Sequence, residues 1–200
     1  MFTSIAEADT VRATAYKYYH ISIRKHVFTV PKVLVMLREP IHGNLPGRGI
    51  ANVNEVRSFF KHSTAYAFSE QKLELLTPAK QIETLANTDI FVGVLGSGFA
   101  NGIFMIPGSV AISYSPPHVG GFFFQTVSEF ARIRYIAVFN SSTPFPPECK
   151  NRVNSNGESV IRSCLDLLYA DNVYMEIEQL QFFLQVAIVH LKSTKYKFAL

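Results

Sequence analysis

The sequence contains no tryptophan, and only two of its 200 residues are cysteines. Cys149 and Cys164 are too few for a disulfide-dense scaffold, and they lack the grouped spacing of a structural zinc site. They are candidates for one disulfide bond, and two unrelated buried thiols explain them equally well. Disulfide-rich secreted scaffolds and zinc-ribbon folds are thereby excluded.

Charged residues are also scarce, at 17% of the chain, and the formal net charge is only +4. The positive excess is spread over both halves, without the lysine run or arginine-rich stripe that is typical of a nucleic-acid surface. We expect no nucleic-acid partner. A mild positive charge is still compatible with a phosphorylated small ligand.

No apolar run reaches the roughly 20 residues that a membrane helix needs. The most apolar region, residues 90–114, is interrupted by several glycines and by Pro107, so we expect it to be buried core and not a membrane segment. Residues 1–12 contain Glu7 and Asp9 and show no basic region followed by an apolar one, so no signal peptide is expected there.

Apolar residues are plentiful, at 48%, which is enough for one compact domain covering residues 1–200. Short apolar runs alternate with amphipathic segments. Strands are predicted over 31–37, 65–68, 90–94, 110–114 and 134–139, and helices over 3–20, 52–61, 79–87, 99–105, 123–132 and 176–191. This alternation predicts an α/β fold with a doubly wound, mostly parallel sheet. The core is expected over 32–138, with a loop excursion over 140–157 and a closing C-terminal helix.

Ligands of such sheets bind where the strands end, and the loop after Val94 is the strongest candidate. Gly96 and Gly98 permit close approach of the backbone, and the predicted helix behind them directs its positive end toward an anion. A diphosphate suits this place. The dinucleotide fingerprint is incomplete because Asn101 stands at the position of its third glycine, and a Gly-x-Gly in isolation is more often a tight turn.

Two arginines bracket the loop after the first strong strand. Arg38 and Arg48 are candidates to clamp a phosphate bidentately, although a solvated surface pair would have the same sequence. An Asp-x-Asp pattern and a histidine pair with metal spacing are both missing from the sequence, so no metal cofactor is expected. Asn52 is predicted to cap the helix that follows it, with Glu55 as its capping-box partner.

Residues 85–112 read LANTDIFVGVLGSGFANGIFMIPGSVAI. This run resembles the signature of glycosyltransferase family 61, in which a strand ends in VGVHGAGLTN and an apolar helix, Pro-Gly and a further strand follow. The upstream segment 48–55, RGIANVNE, is similar to the family's Arg-x-x-x-Asn-x-x-Glu, and Arg38 falls where the family's first strand ends in arginine. Further on, Arg134-Tyr-Ile136 resembles the family's Leu-Arg-Tyr-Ile strand.

The resemblance implies the donor-binding, Rossmann-like lobe of a GT-B type glycosyltransferase. Members of the family move a sugar, such as GlcNAc or a pentose, from a UDP-sugar to a protein or glycan hydroxyl, with inversion and without an essential metal. Carried over by position, the implied donor-binding residues are Arg38, Arg48, Asn52, Gly96, Ser97, Gly98, Phe99 and Asn101. The two arginines would neutralise the departing diphosphate, and the resemblance assigns no catalytic residue here.

Two departures from the family pattern matter for the site. Leu95 replaces the motif histidine, and Ser113 replaces the glutamate of the next strand, where the family's Val-Ile-Glu-Ile/Leu-Phe-Pro corresponds to 111–116, AISYSP. From the resemblance we also expect that these 200 residues lack most of the N-terminal lobe that would bind the acceptor. The alternatives are an active transferase, a non-catalytic or fragmentary donor-lobe relative that binds nucleotide sugar weakly or serves as an interaction module, and an α/β domain without a ligand.

The compartment follows from the resemblance alone, since the family works in the lumen of the endoplasmic reticulum or Golgi. Asn140 begins an Asn-Ser-Ser acceptor for N-glycosylation in a predicted loop, and the acceptor would be usable only in that compartment. Cys149 and Cys164 could pair there as well.

Overall fold

A computed structural model describes residues 4–23, 30–38, 49–115, 122–139 and 172–198. Strands β1 to β5 form one parallel sheet in the order β2-β1-β3-β4-β5. The strands are β1 (Lys32–Leu37), β2 (Ala67–Lys72), β3 (Ile90–Val94), β4 (Val110–Ser115) and β5 (Arg134–Phe139). The α-helices are α1 (Ile5–Tyr18), α2 (Val53–Lys61), α3 (Pro78–Ala86), α4 (Phe122–Phe130) and α5 (Ile177–Phe198), and there are 3-10 helices at Leu73–Leu75 and Ser97–Phe104.

Helices cover both faces of this sheet, because the strands alternate their side chains between two cores. Helices α2 and α5 pack on the face that carries Val33, Val35 and Val92. On the other face, Leu34, Met36 and Phe91 pack against α1, α3, α4 and the longer 3-10 helix. The predicted doubly wound, Rossmann-like α/β fold with a parallel sheet is confirmed.

The strand order places a topological switch point between β1 and β3. From β1 the chain crosses through α2 to β2 at one edge, and from β3 it proceeds in the opposite direction to β4 and β5. The crevice beyond the carboxyl ends of two such strands is where open α/β sheets bind their ligands. The residues that border it are those that follow Leu37 and Val94.

Two predicted elements need correction. The strand predicted over 65–68 is β2 at Ala67–Lys72, because this edge strand has a polar sequence and gets its length from pairing with β1. The α-helix predicted over 99–105 is a 3-10 helix at Ser97–Phe104, a segment with two glycines, which disfavour a regular α-helix.

The capping box predicted for Asn52 also needs correction. Asn52 is the N-cap residue of α2, but its side chain makes no hydrogen bond to the helix backbone. By contrast, Thr77 caps α3 with its side chain, because its hydroxyl accepts from the Lys80 amide and Pro78 occupies the first turn.

Several predicted features lie outside the described residues. They are Arg48, Asn140, Cys149, Cys164 and the predicted excursion over 140–157. In the part of the chain that the structure describes, no helix combines the length and apolar character needed to cross a membrane.

Candidate functional site

The site is built at the carboxyl edge of the sheet, around the switch point. Met36 of β1 pairs with Gly93 of β3, and Val94 of β3 pairs with Tyr114 of β4. The Leu95 amide still donates to the Tyr114 carbonyl at 2.8 Å, so the β3–β4 ladder continues one residue past β3. Extending this register puts Arg38, Leu95 and Ser115 side by side on three neighbouring strands.

Arg38 directly follows β1 at this edge, as predicted. Arg38 as a whole is half-buried. Its Nη1 atom is fully buried and has no hydrogen-bond partner among the described residues. Buried guanidinium nitrogens are nearly always hydrogen-bonded in folded proteins, and an unpaired one is costly. The geometry therefore leaves a cationic donor available at the mouth of the switch point.

The glycine loop after β3 lies against the end of β1. A Cβ atom added at Gly98 would stand 2.5 Å from the Met36 sulfur, so glycine allows the loop to pack on this side chain. Gly96 is extended and needs no special conformation. Ser97, between them, is exposed. The packing carries the loop across the crevice, beside the position of Arg38.

Two other residues of the predicted donor loop have structural contacts. Phe99 is buried at 3% exposure and packs on Phe91, with ring centroids 4.8 Å apart. The Asn101 amide donates to the Gln81 carbonyl oxygen on α3 at 3.4 Å. The loop positions Phe99 in the core and turns Asn101 toward a helix, so both side chains hold the loop in place.

Asn52, the remaining predicted donor residue in the described ranges, joins two distant segments. Its side-chain oxygen accepts from the Met175 amide at 2.9 Å, and its nitrogen donates to the Met175 carbonyl at 2.9 Å and to Glu55 Oε2 at 3.0 Å. Ala51 and Val173 extend this pairing through the main chain. Both amide hydrogens of Asn52 are thus used inside the protein.

Glu55 is the centre of a small polar group next to Asn52. The Tyr174 hydroxyl donates to Glu55 Oε2 at 3.0 Å. The hydrogen bonds from Asn52 and Tyr174 lower the pKa of the Glu55 carboxyl, and the same bond to Glu55 raises the pKa of Tyr174. The carboxylate borders a groove of about 510 Å³ between α2 and the start of α5, which Ser58 and His62 also line.

Buried hydroxyl groups at the end of β4 were not anticipated. The hydroxyls of Tyr114 and Ser115 are fully buried, and neither has a hydrogen-bond partner in the described ranges. Burial, with a contribution from Glu176, raises the pKa of Tyr114, so this phenol is neutral at ordinary pH. The sequence signal was a strand that ends in polar residues at the ligand-binding edge of a parallel sheet.

The two positions that depart from the family pattern are both buried. Leu95 is 1% exposed, and Ser113 is fully buried with its hydroxyl 2.5 Å from that of Tyr135. Burial raises the pKa of Tyr135, which therefore stays neutral beside Ser113. Two buried, uncharged side chains on neighbouring strands therefore occupy the positions where the family pattern has ionisable side chains.

Comparison with known families agrees with the geometry. The Glycosyltransferase 61 family model matches residues 3–112, more than half of the chain and including α1, β1, the glycine loop and the start of β4. No curated protein matches the sequence significantly. With a Rossmann-like sheet, a glycine loop at its switch point and this match, the chain belongs to the glycosyltransferase 61 family.

Proposed function

We propose that this chain is the donor-binding lobe of an inverting glycosyltransferase that takes a UDP-sugar and glycosylates a protein or glycan hydroxyl. The observation that carries the proposal is Arg38, a buried guanidinium nitrogen without a partner in the described part of the chain, beside the glycine loop of a family 61 sheet. An anionic ligand at the switch point would supply the missing acceptor.

The proposed reaction develops negative charge on the leaving group. An acceptor oxygen attacks the anomeric carbon, the bond from that carbon to the β-phosphate oxygen breaks, and the electron pair leaves with UDP. The acceptor's proton passes to a base that the described residues do not identify. Arg38 and Arg48 would stabilise the departing diphosphate, so the proposal assigns no cofactor and gives the arginines the role that a metal ion has elsewhere.

The predicted donor residues divide into two groups under this proposal. In the first group, which we propose contacts the ligand, are Arg38, Ser97 and the backbone at Gly96 and Gly98. Asn52, Phe99 and Asn101 instead support the positions of their segments, since their side chains already have partners or core contacts. Support of this kind is typical of sites whose ligand contacts are made by rigidly held loops.

The finer assignments rest on the family resemblance. We propose GlcNAc or a pentose as the transferred sugar, the lumen of the endoplasmic reticulum or Golgi as the compartment, and an N-terminal lobe as the place where the acceptor binds. In that lumen Asn140 would be open to N-glycosylation, and Cys149 would be able to pair with Cys164.

Calorimetric titration of the purified chain with UDP, UDP-GlcNAc and UDP-xylose tests donor binding. Arg38→Gln and Arg48→Ala should each weaken UDP binding roughly tenfold or more, because each removes a charged hydrogen bond. Arg134→Gln is the control, because it removes the same charge from an exposed position at the start of β5, far from the carboxyl ends of the strands. This variant should leave the affinity for UDP unchanged. A wild-type chain that binds none of the three ligands at millimolar concentration would contradict the proposal.

The second candidate function is a non-catalytic relative that binds nucleotide sugar without transferring it. The burial of Leu95 in place of a motif histidine, and of a Ser113 already bonded to Tyr135, favours it. Sugar transfer to any acceptor by the longest native form of the protein would exclude this candidate. Donor binding without transfer would support it, and Leu95→His combined with Ser113→Glu should then increase donor affinity.

A further inference from the structure

Strand β4 carries two serines that differ only in whether the hydroxyl has a partner. Ser113 and Ser115 are both fully buried and lie two residues apart, so they lie on the same face of the sheet. The Ser113 hydroxyl bonds to Tyr135, whereas the Ser115 hydroxyl has no partner among the described residues. A buried hydroxyl without a partner costs free energy in the unliganded protein.

The unpartnered hydroxyl lies at the switch-point edge. Continuing the β3–β4 register places Ser115 opposite Leu95, and continuing the β1–β3 register places Arg38 on the other side of Leu95. Two strand spacings separate the Arg38 and Ser115 backbones by roughly 10 Å, a distance that an arginine side chain largely spans. Strand alternation puts both side chains on the face that carries Met36 and Phe91.

Arg38 and Ser115 therefore share a face and an edge, and each has a buried hydrogen-bonding atom without a described partner. Both groups are donors that match one acceptor with several oxygens.

We propose that the Ser115 hydroxyl, together with the Arg38 guanidinium, binds a phosphate oxygen of the donor's diphosphate. The inference rests on the proposed function and adds a binding residue to it. The hydroxyl donates its proton to the phosphate oxygen, and Arg38 supplies the charge. Both atoms are shielded from solvent in the unliganded structure.

Calorimetric titrations of Ser115→Ala, Ser113→Ala and the wild type with UDP, inorganic pyrophosphate and uridine test the inference, combined with thermal unfolding of each unliganded protein. Ser115→Ala should weaken UDP and pyrophosphate binding by roughly tenfold and leave uridine binding unchanged. Its unfolding midpoint should be equal to that of the wild type or higher, because the variant loses only an unsatisfied group.

The matched control has the opposite pattern. Ser113→Ala removes a hydroxyl from the same strand and face, but it leaves the Tyr135 hydroxyl unpaired, so it should lower the unfolding midpoint and leave UDP affinity unchanged. Ser115→Cys, nearly isosteric and a weak donor, should give intermediate UDP affinity.

The outcomes separate this inference from the proposed function. If the wild type binds UDP and pyrophosphate and Ser115→Ala binds them equally well, Ser115 is not a ligand residue, while donor binding stands. If Ser115→Ala weakens uridine binding as much as pyrophosphate binding, the phosphate contact is wrong. If the wild type binds neither UDP nor pyrophosphate, both proposals are wrong.

Discussion

The two ends of the parallel strands differ in how their buried polar groups are hydrogen-bonded. The amino edge is the side of the sheet where the strands begin, and the carboxyl edge is the side where they end. At the amino edge, the buried Arg12 guanidinium donates to the Ile103 carbonyl at 2.7 Å, to the Ala131 carbonyl at 2.8 Å and to Asp9 at 2.7 Å. At the carboxyl edge, atoms of Arg38, Tyr114 and Ser115 are buried without partners in the described ranges. At the amino edge the protein itself supplies the partners of Arg12, whereas at the carboxyl edge we propose that a ligand supplies the missing ones.

The amino edge is satisfied because Arg12 meets the ends of two helices. Ile103 lies in the last turn of the longer 3-10 helix, and Ala131 follows α4. The last carbonyls of a helix lack partners within it, and their negative end attracts a cation. The Tyr16 hydroxyl adds a bond to the Phe104 carbonyl at 2.6 Å, so α1 fastens both segments to the sheet.

His190 on α5 is an exception to the comparison. Its Nε2 atom is buried and has no partner in the described part of the chain, although it lies near Arg134 and Gly108 toward the amino edge. Burial and the Arg134 charge lower the pKa of its imidazole, which is therefore neutral at pH 7. A neutral imidazole costs less to bury without a partner than a charged guanidinium does.

The largest expected loss of stability comes from a substitution at the amino edge, where the buried arginine is hydrogen-bonded. Arg12→Met should lower the free energy of unfolding by about 3 to 5 kcal/mol, because it leaves two buried carbonyls without their donor and removes one of the two arginines that bond to Asp9. Arg38→Met is the matched substitution at the other edge and should cost little or nothing. Urea unfolding of both variants measures the difference, and equal losses would contradict the contrast between the edges.

An intermediate effect is expected at Asn52, which lies at the carboxyl edge but is fully hydrogen-bonded. Asn52→Ala should lower the free energy of unfolding by about 2 kcal/mol, because the Met175 amide and carbonyl lose their partners. Asn54→Ala, on the exposed side of α2, is the control. Urea unfolding and UDP titration should show a loss of stability larger than the loss of affinity. The reverse ratio would restore Asn52 to the ligand-binding group.

The parallel sheet could be predicted from the sequence because its central strands are short apolar runs. β1 and β3 are buried on both faces, and such apolar runs are typical of central strands in a parallel sheet. β2 was displaced in the prediction because its polar sequence has no apolar signal beyond Phe68. Its true extent depends on pairing with β1, a long-range contact that local composition does not encode.

The roles of individual site residues were only partly readable. Asn52 looked like a helix cap because Glu55 follows at the right spacing, but its partner Met175 is 123 positions away in the sequence. The sequence around Arg12 did not predict its role, because its acceptors Ile103 and Ala131 are 91 and 119 positions away. Ser113 and Ser115 are the same residue type on one strand. Their hydroxyl groups differ because Tyr135 on β5 lies within hydrogen-bond distance of Ser113.

The smallest expected effect sharpens the comparison at the unsatisfied edge. Tyr114→Phe removes a buried hydroxyl that has no described partner, so the free energy of unfolding should stay constant or rise by up to about 1 kcal/mol. Tyr135→Phe deletes the same atom from a tyrosine that bonds to Ser113, and it should cost about 1 kcal/mol. Urea unfolding of the two variants compares like with like, because each loses one phenolic oxygen from the same sheet. If the two variants lose equal free energy of unfolding, the Tyr114 hydroxyl already has a hydrogen-bond partner in the unliganded protein. The carboxyl edge would then have one fewer unpaired group, and its contrast with the amino edge would be weaker.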